Sequence, residues 1–423
     1  MKFPEQGMSR PDISGEMRAK KKDDARWAEG RTFSLIYPTE GALDEDARDS
    51  SSGSPIEIDD VVADAHDLYL YENALNPFRF PSLREMEADV VSMTADLLHA
   101  PEDFGGSMTS GGTESILMAT LVARGRALAE RGVTEPQLLA PVSAHPAFAK
   151  AAYVLGLEHV QIPIGDDFRA DVGAAAELVT DRTAMIVGSA PGYPHGVIDP
   201  IPELAAIAAE RGIAFHTDSC VGGFLLPFLE RLGRDVPPFD FRVEGVTSMS
   251  ADVHKYGYTT KGASVVLHRR HEWFMDHQVF LYDRWPGGLY GSPAMAGARP
   301  AAPIAAAWAV MRHLGVEGYV ALAESLLDTT AALKTGIEEI PELHVLGEPA
   351  ASLVAFGSDT VDIGAVGDVM DDRGWHLDRQ TGPDALHMMI SPAHRKIVDV
   401  FLADLADAVA NHGESRGVEA RYS

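Results

Sequence analysis

From about Asp67 onward, short unbroken apolar runs alternate with stretches whose apolar residues recur every three or four positions. The runs Gln137 to Val142, Thr183 to Val187 and Ile213 to Phe215 predict strands buried on both faces. Helical spacing covers Glu85 to Leu98, Glu114 to Arg131 and Ile201 to Glu210. Strand and helix in alternation require crossover connections, so the pattern predicts an α/β fold with a mostly parallel sheet and helices on both faces. After Pro300 the texture changes. An alanine-rich helix, Ile304 to Leu314, leads into a further helix, two or three short strands near Leu343 to Phe356 and Ala385 to Ile390, and a last helix from His394 to Asn411. Such segregation predicts a smaller α+β domain. The expected organisation is an N-terminal arm and partly flexible segment over 1–66, a large domain over 67–300 and a small C-terminal domain over 301–423. No solenoid repeat interrupts it.

Composition narrows the function classes. Of 423 residues 46% are hydrophobic and 23% charged, enough for a large core. A basic run (Arg18 to Lys22) and an acidic, serine-rich run (Asp44 to Ser54) mark the arm as polar, a mobile arm and loop. The net charge of −28 repels polyanions, which argues against nucleic-acid or anionic-membrane binding as a general activity. No stretch reaches the roughly 18 apolar residues of a membrane span, and the polar start lacks an apolar signal core, so a cytoplasmic location is expected. The single cysteine, Cys220, excludes an internal disulfide and a multi-cysteine metal site; no metal is expected.

Three segments carry candidate chemistry. Thr109-Ser110-Gly111-Gly112-Thr113-Glu114-Ser115 stands directly ahead of a helix. Glycines permit close backbone approach, and a helix N-terminus offers free N–H groups to an anion, so this is a candidate phosphate cradle; a glycine turn with a capping box fits the same residues. Asp218 closes the apolar run Ile213 to Phe215, at a strand's carboxyl end where ligands of doubly wound sheets bind, although an acid there also caps a following helix. Lys255 ends the stretch Ser248 to Lys255. Burial favours a neutral amine, the form that attacks carbonyls; a surface lysine after a strand is the plainer alternative. In combination, an anion cradle, an acid and an amine are the parts that hold pyridoxal 5'-phosphate. His145, in Ser143-Ala144-His145-Pro146, follows another predicted strand and supplies an imidazole for the ring.

The segments TSGGTESILMA (Thr109 to Ala119), SAHPAF (Ser143 to Phe148), PHGVIDP (Pro194 to Pro200), HTDSCVGGF (His216 to Phe224) and GVTSMSADVHKYGYTTKGAS (Gly245 to Ser264) closely resemble sphingosine-1-phosphate lyases, in the group II decarboxylase branch of fold-type I pyridoxal phosphate enzymes. The likeness runs in order from about Trp27 to Asn411. It implies that Lys255 bonds the cofactor aldehyde, that Asp218 partners the pyridine nitrogen and that His145 stacks on the ring. It further implies Gly112, Thr113 and His254 at the cofactor phosphate, with Ser292 reaching across from a second subunit of a homodimer with shared active sites. Tyr37 and Lys261 would face the phosphate of the substrate, and Asn73 matches a further substrate-binding asparagine of the family. Eukaryotic members carry an N-terminal membrane anchor; this chain shows none and resembles the soluble bacterial form.

One position departs from the family. Where its members read N-x-x-H-P, this chain reads Asn73-Ala74-Leu75-Asn76-Pro77. An imidazolium gives phosphate a charge-assisted bond about twice as strong as a neutral amide's, so Asn76 implies a weaker grip or a different head group, with Arg79 nearby as compensation. The implied reaction is retro-aldol cleavage of sphingosine 1-phosphate, or another phosphorylated long-chain amino alcohol, to a long-chain aldehyde and phosphoethanolamine. The alternatives are a lyase for a different amino alcohol, an amino-acid decarboxylase of the same fold, and a silent homologue acting as a scaffold. Tyr193 and Tyr256 are the candidates for general base.

Overall fold

A computed structural model of the chain describes residues 3–25, 27–34, 37, 57–418 and 420. Seven strands form the main sheet: β1 (Gly105–Thr109), β2 (Gln137–Pro141), β3 (Glu158–Ile162), β4 (Thr183–Ser189), β5 (Ala214–Asp218), β6 (Ser248–Ala251) and β7 (Ser264–His268). Their spatial order is β1-β7-β6-β5-β4-β2-β3, and only β7 runs against its neighbours.

Alternation along these strands explains why they read as unbroken apolar runs. Leu138, Ala140, Met185, Val187, Ala214 and Val266 pack into one core with the helices Gly112–Arg131 and Ala147–Leu155. Their immediate neighbours Leu139, Ile186, Phe215 and Val265 enter the larger core on the opposite face, with Leu204, Ala205 and Ala208 of the helix Ile201–Glu210. With both faces covered, apolar residues fill both register positions along these stretches, and polar ones gather toward the strand ends.

A hairpin, β8 (Phe280–Tyr282) and β9 (Tyr290–Ser292), leads to the long helix Ala302–Glu338. Gly315 has non-helical backbone angles (φ 54°, ψ −170°), so the expected pair of helices meets across a kink there. The second sheet has order β10-β11-β13-β12, from β10 (His344–Val345), β11 (Leu353–Gly357), β12 (Asp378–Gln380) and β13 (Ala385–Met389). It has four strands where two or three were expected; β12, three residues long, carries no readable alternation.

Two helices stand in the stretch expected to be an arm and loop. Arg10–Lys20 is helical, started by the Ser9 side chain accepting from the Asp12 amide, with Arg18 and Lys20 in its last turn, so caps and dipole complement it although no residue is buried. Ile58–Leu68 is a second helix. The acidic run Asp44 to Ser54 lies outside the described residues. Between these helices, Phe33 donates its amide to the His376 carbonyl and accepts from the Met389 amide, which ties the segment to the small sheet.

Candidate active site

The parallel strands β2, β4, β5 and β6 end at one edge of the main sheet, and the cavity opens there. Register aligns Ser189, Asp218 and Ser250 across β4, β5 and β6. The cavity measures about 360 Å³ and is lined by Gly112, Thr113, His145, Asp218, His254, Lys255 and Lys261 among others. Residues from 112 to 261 thus converge because each follows a strand terminating at the same edge.

Asp218 is buried and held from behind. One of its oxygens accepts from the Cys220 amide and from the Ser250 hydroxyl, both at 3.1 Å. Ser250 is itself met by His216 Nε2 at 3.1 Å, while His216 Nδ1 meets Ser248 at 2.9 Å. Burial lowers the His216 pKa to about 4, so this imidazole is a neutral link that fixes the carboxylate without adding charge. Burial also raises the Cys220 thiol far above its ordinary range, which makes the cysteine inert packing beside the acid.

Lys255 lies 3.1 Å from Asp252 Oδ2. Asp252 is fully buried; burial opposes its ionisation, but Lys255 and then His254 outweigh that and hold the carboxyl below its ordinary range. This acid, three residues before the lysine, has no role in the sequence reading. Its signal was an acid–lysine pair at i,i+3 in a segment otherwise predicted to be buried. Burial drives the His254 pKa to about 4 against the pull of Asp252, and its Nδ1 accepts from the Ala263 amide at 3.3 Å. His145 Nδ1 accepts from the Ala147 amide at 3.1 Å, so its proton belongs on Nε2; burial lowers its pKa as well.

The glycine turn packs tightly. A Cβ on Gly112 would fall 2.7 Å from Cys220 Sγ and 2.8 Å from Asp252 Oδ2, so only glycine permits this approach. Glu114 accepts from the Ser110 amide and hydroxyl, a capping arrangement, while its other oxygen takes the Met295 amide at 2.8 Å. Cradle and capped turn are therefore one object. Gly112 and Thr113 open the helix Gly112–Arg131, where amides have no carbonyl one turn back to bond, and both residues line the cavity. An amine, a buried acid, an imidazole and an anion cradle around one cavity fit pyridoxal phosphate.

The substrate-binding candidates divide. Lys261 lines the cavity, donates to the His254 carbonyl at 3.2 Å and lies 4.5 Å from the centre of the Tyr37 ring. Asn73 and Asn76 line a separate small pocket instead. Asn73 Oδ1 accepts from the Leu75 and Arg299 amides, at 3.0 and 3.1 Å, so that side chain holds a turn. Ser292 is outside the cavity too, its hydroxyl donating to the Ala294 and Ala296 carbonyls. The two base candidates also separate: Tyr193 lines the cavity, whereas Tyr256 is fully buried and donates to the Ile390 carbonyl at 2.7 Å.

Comparison with known proteins follows this geometry. The pyridoxal-dependent decarboxylase conserved domain matches residues 60–358. A sphingosine-1-phosphate lyase of Arabidopsis thaliana is 42% identical over 415 residues, covering 96% of this chain and 74% of that protein. Sphingosine-1-phosphate lyase 1 of Rattus norvegicus is 40% identical, over 96% of this chain and 69% of the relative. The solved sphingosine-1-phosphate lyase of Burkholderia pseudomallei superposes with a TM-score of 0.90 at 40% identity, covering 97% of this chain and 93% of its own. Lactobacillus brevis glutamate decarboxylase, at 20% identity and a TM-score of 0.82 over 99% and 96% of the two chains, shares the fold.

Proposed function

The chain belongs to the sphingosine-1-phosphate lyases within the pyridoxal-dependent decarboxylase family, and from that premise we propose that it cleaves sphingosine 1-phosphate to a long-chain aldehyde and phosphoethanolamine. It is a pyridoxal-phosphate-dependent carbon–carbon lyase. The observation that carries the residue assignment is the convergence of Lys255, Asp218, His145 and the Gly112 turn on one cavity.

Bound there, pyridoxal phosphate supplies an aldehyde for amines and a ring that takes up the electron pair of a bond breaking at Cα. In our reading Lys255 is the amine that bonds that aldehyde, and Asp252 keeps its Nζ in place beforehand. Asp218 would hold a proton on the pyridine nitrogen, with Ser250 and His216 fixing the carboxylate from behind. His145 would stack on the ring. The Gly112 and Thr113 amides with His254 would hold the cofactor phosphate. Lys261, with Tyr37 beside it, takes the substrate phosphate, and a grip at that end orients the Cα–Cβ bond for cleavage in preference to a carboxylate.

Asn73, Asn76 and Ser292 would then act from a second copy of the chain, which completes the site across a homodimer. The exposed apolar side chains of the hairpin β8–β9 support that reading, since Leu281 and Leu289 are 58% and 72% exposed in the single chain. No described helix is long and apolar enough to cross a membrane, and we place the protein in the cytoplasm.

Lys255→Ala tests the assignment. Purified variant should release no aldehyde from sphingosine 1-phosphate and should lose the visible absorbance of lysine-bonded cofactor. Retained colour with retained aldehyde release removes Lys255 from its role.

A further inference from the structure

Tyr193 stands between two chambers. Besides the cavity holding Lys255, a second one of about 410 Å³ is lined by His145, Tyr193, His195, Asp378 and Gln380 among others. Tyr193 and His145 belong to both linings, but Asp378 belongs only to the second. The Tyr193 hydroxyl donates to Asp378 Oδ2 at 2.6 Å, the short separation of a charge-assisted bond. The small sheet fixes this tyrosine in two further ways. Its ring packs on His387 with centroids 4.4 Å apart, and its carbonyl meets His387 Nε2 at 2.9 Å; Gln380 donates to the next carbonyl, that of Pro194, at 2.8 Å.

Three basic groups among the described residues beside this pair are neutral or turned to other partners. His387 faces Asp378 in register and stays neutral, because burial lowers its pKa to about 3. The neighbouring Arg379 turns its guanidinium to Asp368, Asp371 and the Gly364 carbonyl. His195, stacked on Phe168, is also held neutral by burial. Tyr256, the other phenol considered, has its hydroxyl committed to a backbone carbonyl in a fully buried position outside the cavity lining.

We propose that Asp378 is the positioning residue of a two-step proton relay, in which Tyr193 takes the proton of the substrate's β-hydroxyl while passing its own to Asp378. This rests on the lyase reading above. The substrate O–H bond breaks and its electron pair becomes the second bond of the aldehyde C=O; the Cα–Cβ pair departs toward the cofactor. A new O–H bond forms on Tyr193 as its former proton bonds to Asp378 Oδ2. Net cleavage moves one proton from the β-oxygen to Cα, so Asp378 returns its proton through the same hydroxyl once the aldehyde has left. No oxidant or further reactant enters. The carboxylate never touches substrate, because the phenol separates it from the reaction chamber.

The test compares holoenzymes of wild type, Asp378→Asn, Tyr193→Phe and the double variant, each first shown to bind cofactor with wild-type absorbance. Asparagine keeps an oxygen for the Tyr193 hydroxyl but takes no proton. Asp378→Asn should lower kcat for aldehyde release by on the order of 100-fold, the size of a lost general base, with KM within about twofold. Tyr193→Phe should lose a similar factor, and the double variant should be no slower than Tyr193→Phe, since the two act as one unit. Wild-type kcat in Asp378→Asn, additive losses in the double variant, or a loss appearing in KM and cofactor affinity instead of kcat would overturn the relay alone. Absence of aldehyde release from the wild type overturns the lyase reading, and the relay with it.

Discussion

Lys261 changes charge close to neutral pH. Desolvation against the cavity wall first, then Lys255, lowers its pKa to about 8, with Asp252 pulling the other way, although the side chain keeps surface open to solvent. Its amine therefore loses its proton as pH rises through about 8, where an ordinary lysine remains charged. If it grips the substrate phosphate, KM for sphingosine 1-phosphate should rise between pH 7 and 9. Lys261→Gln, uncharged throughout, should show a KM raised about tenfold or more at pH 7, the scale of one lost charge-assisted bond, and flat across that window. Equal pH dependence in variant and wild type would show that another group titrates. At this same scale the motifs were legible: Lys255, Asp218 and His145 could be named from local spacing because each follows an apolar run. Asp252 lies within a motif but its importance rests on the 3.1 Å to Lys255, which spacing alone does not report. Asn73 was legible as a residue but not as a turn-holder, because its partner Arg299 lies 226 positions away.

Among the elements, the hairpin β8–β9 is the one least explained by a single chain. Two isolated strands are marginal in water, yet this pair exposes Phe280, Leu281, Tyr282, Trp285 and Leu289. The second copy proposed above would cover that face. Leu281→Ser with Leu289→Ser should shift the protein from dimer to monomer in sedimentation velocity and lower aldehyde release if the site is shared; a wild type that sediments as a monomer would sink the dimer. Strands buried on both faces, such as β4 and β5, were readable because each contains an apolar run, Ala184 to Val187 and Ile213 to Phe215. Strand β1, Gly-Gly-Ser-Met-Thr, was not. A Cβ on Gly105 would come within 2.5 Å of Phe274 and one on Gly106 within 2.6 Å of the Val266 carbonyl, so packing selects glycine where propensity argues against a strand.

Across the whole molecule, four buried histidines set a common acid limit. His216, His268 and His394 have pKa values near 4 and His387 near 3, in each case mainly through burial. In the unfolded chain these groups return to ordinary histidine values near 6.5. Between about pH 6.5 and 4 the unfolded state binds more protons, so stability is intact above that window and falls as pH drops through it. Each group adds up to about 1.4 kcal/mol per pH unit, before most carboxylates titrate. The urea midpoint should decline from pH 7 to 5, and His394→Gln should flatten that slope; a level profile would mean that these histidines are charged in the fold. By itself the sequence determined the alternation of elements, the α/β class and the segments that carry the motifs, because burial and strand ends leave a local trace in residue type and spacing. Only the tertiary structure decided which distant side chains meet: Tyr37 over Lys261, Tyr193 against Asp378, Asn76 outside the cavity. Those meetings follow from sheet order and from loops docking between the two sheets, and such contacts, separated by up to 224 residues in the first case, impose no period on the chain that carries them.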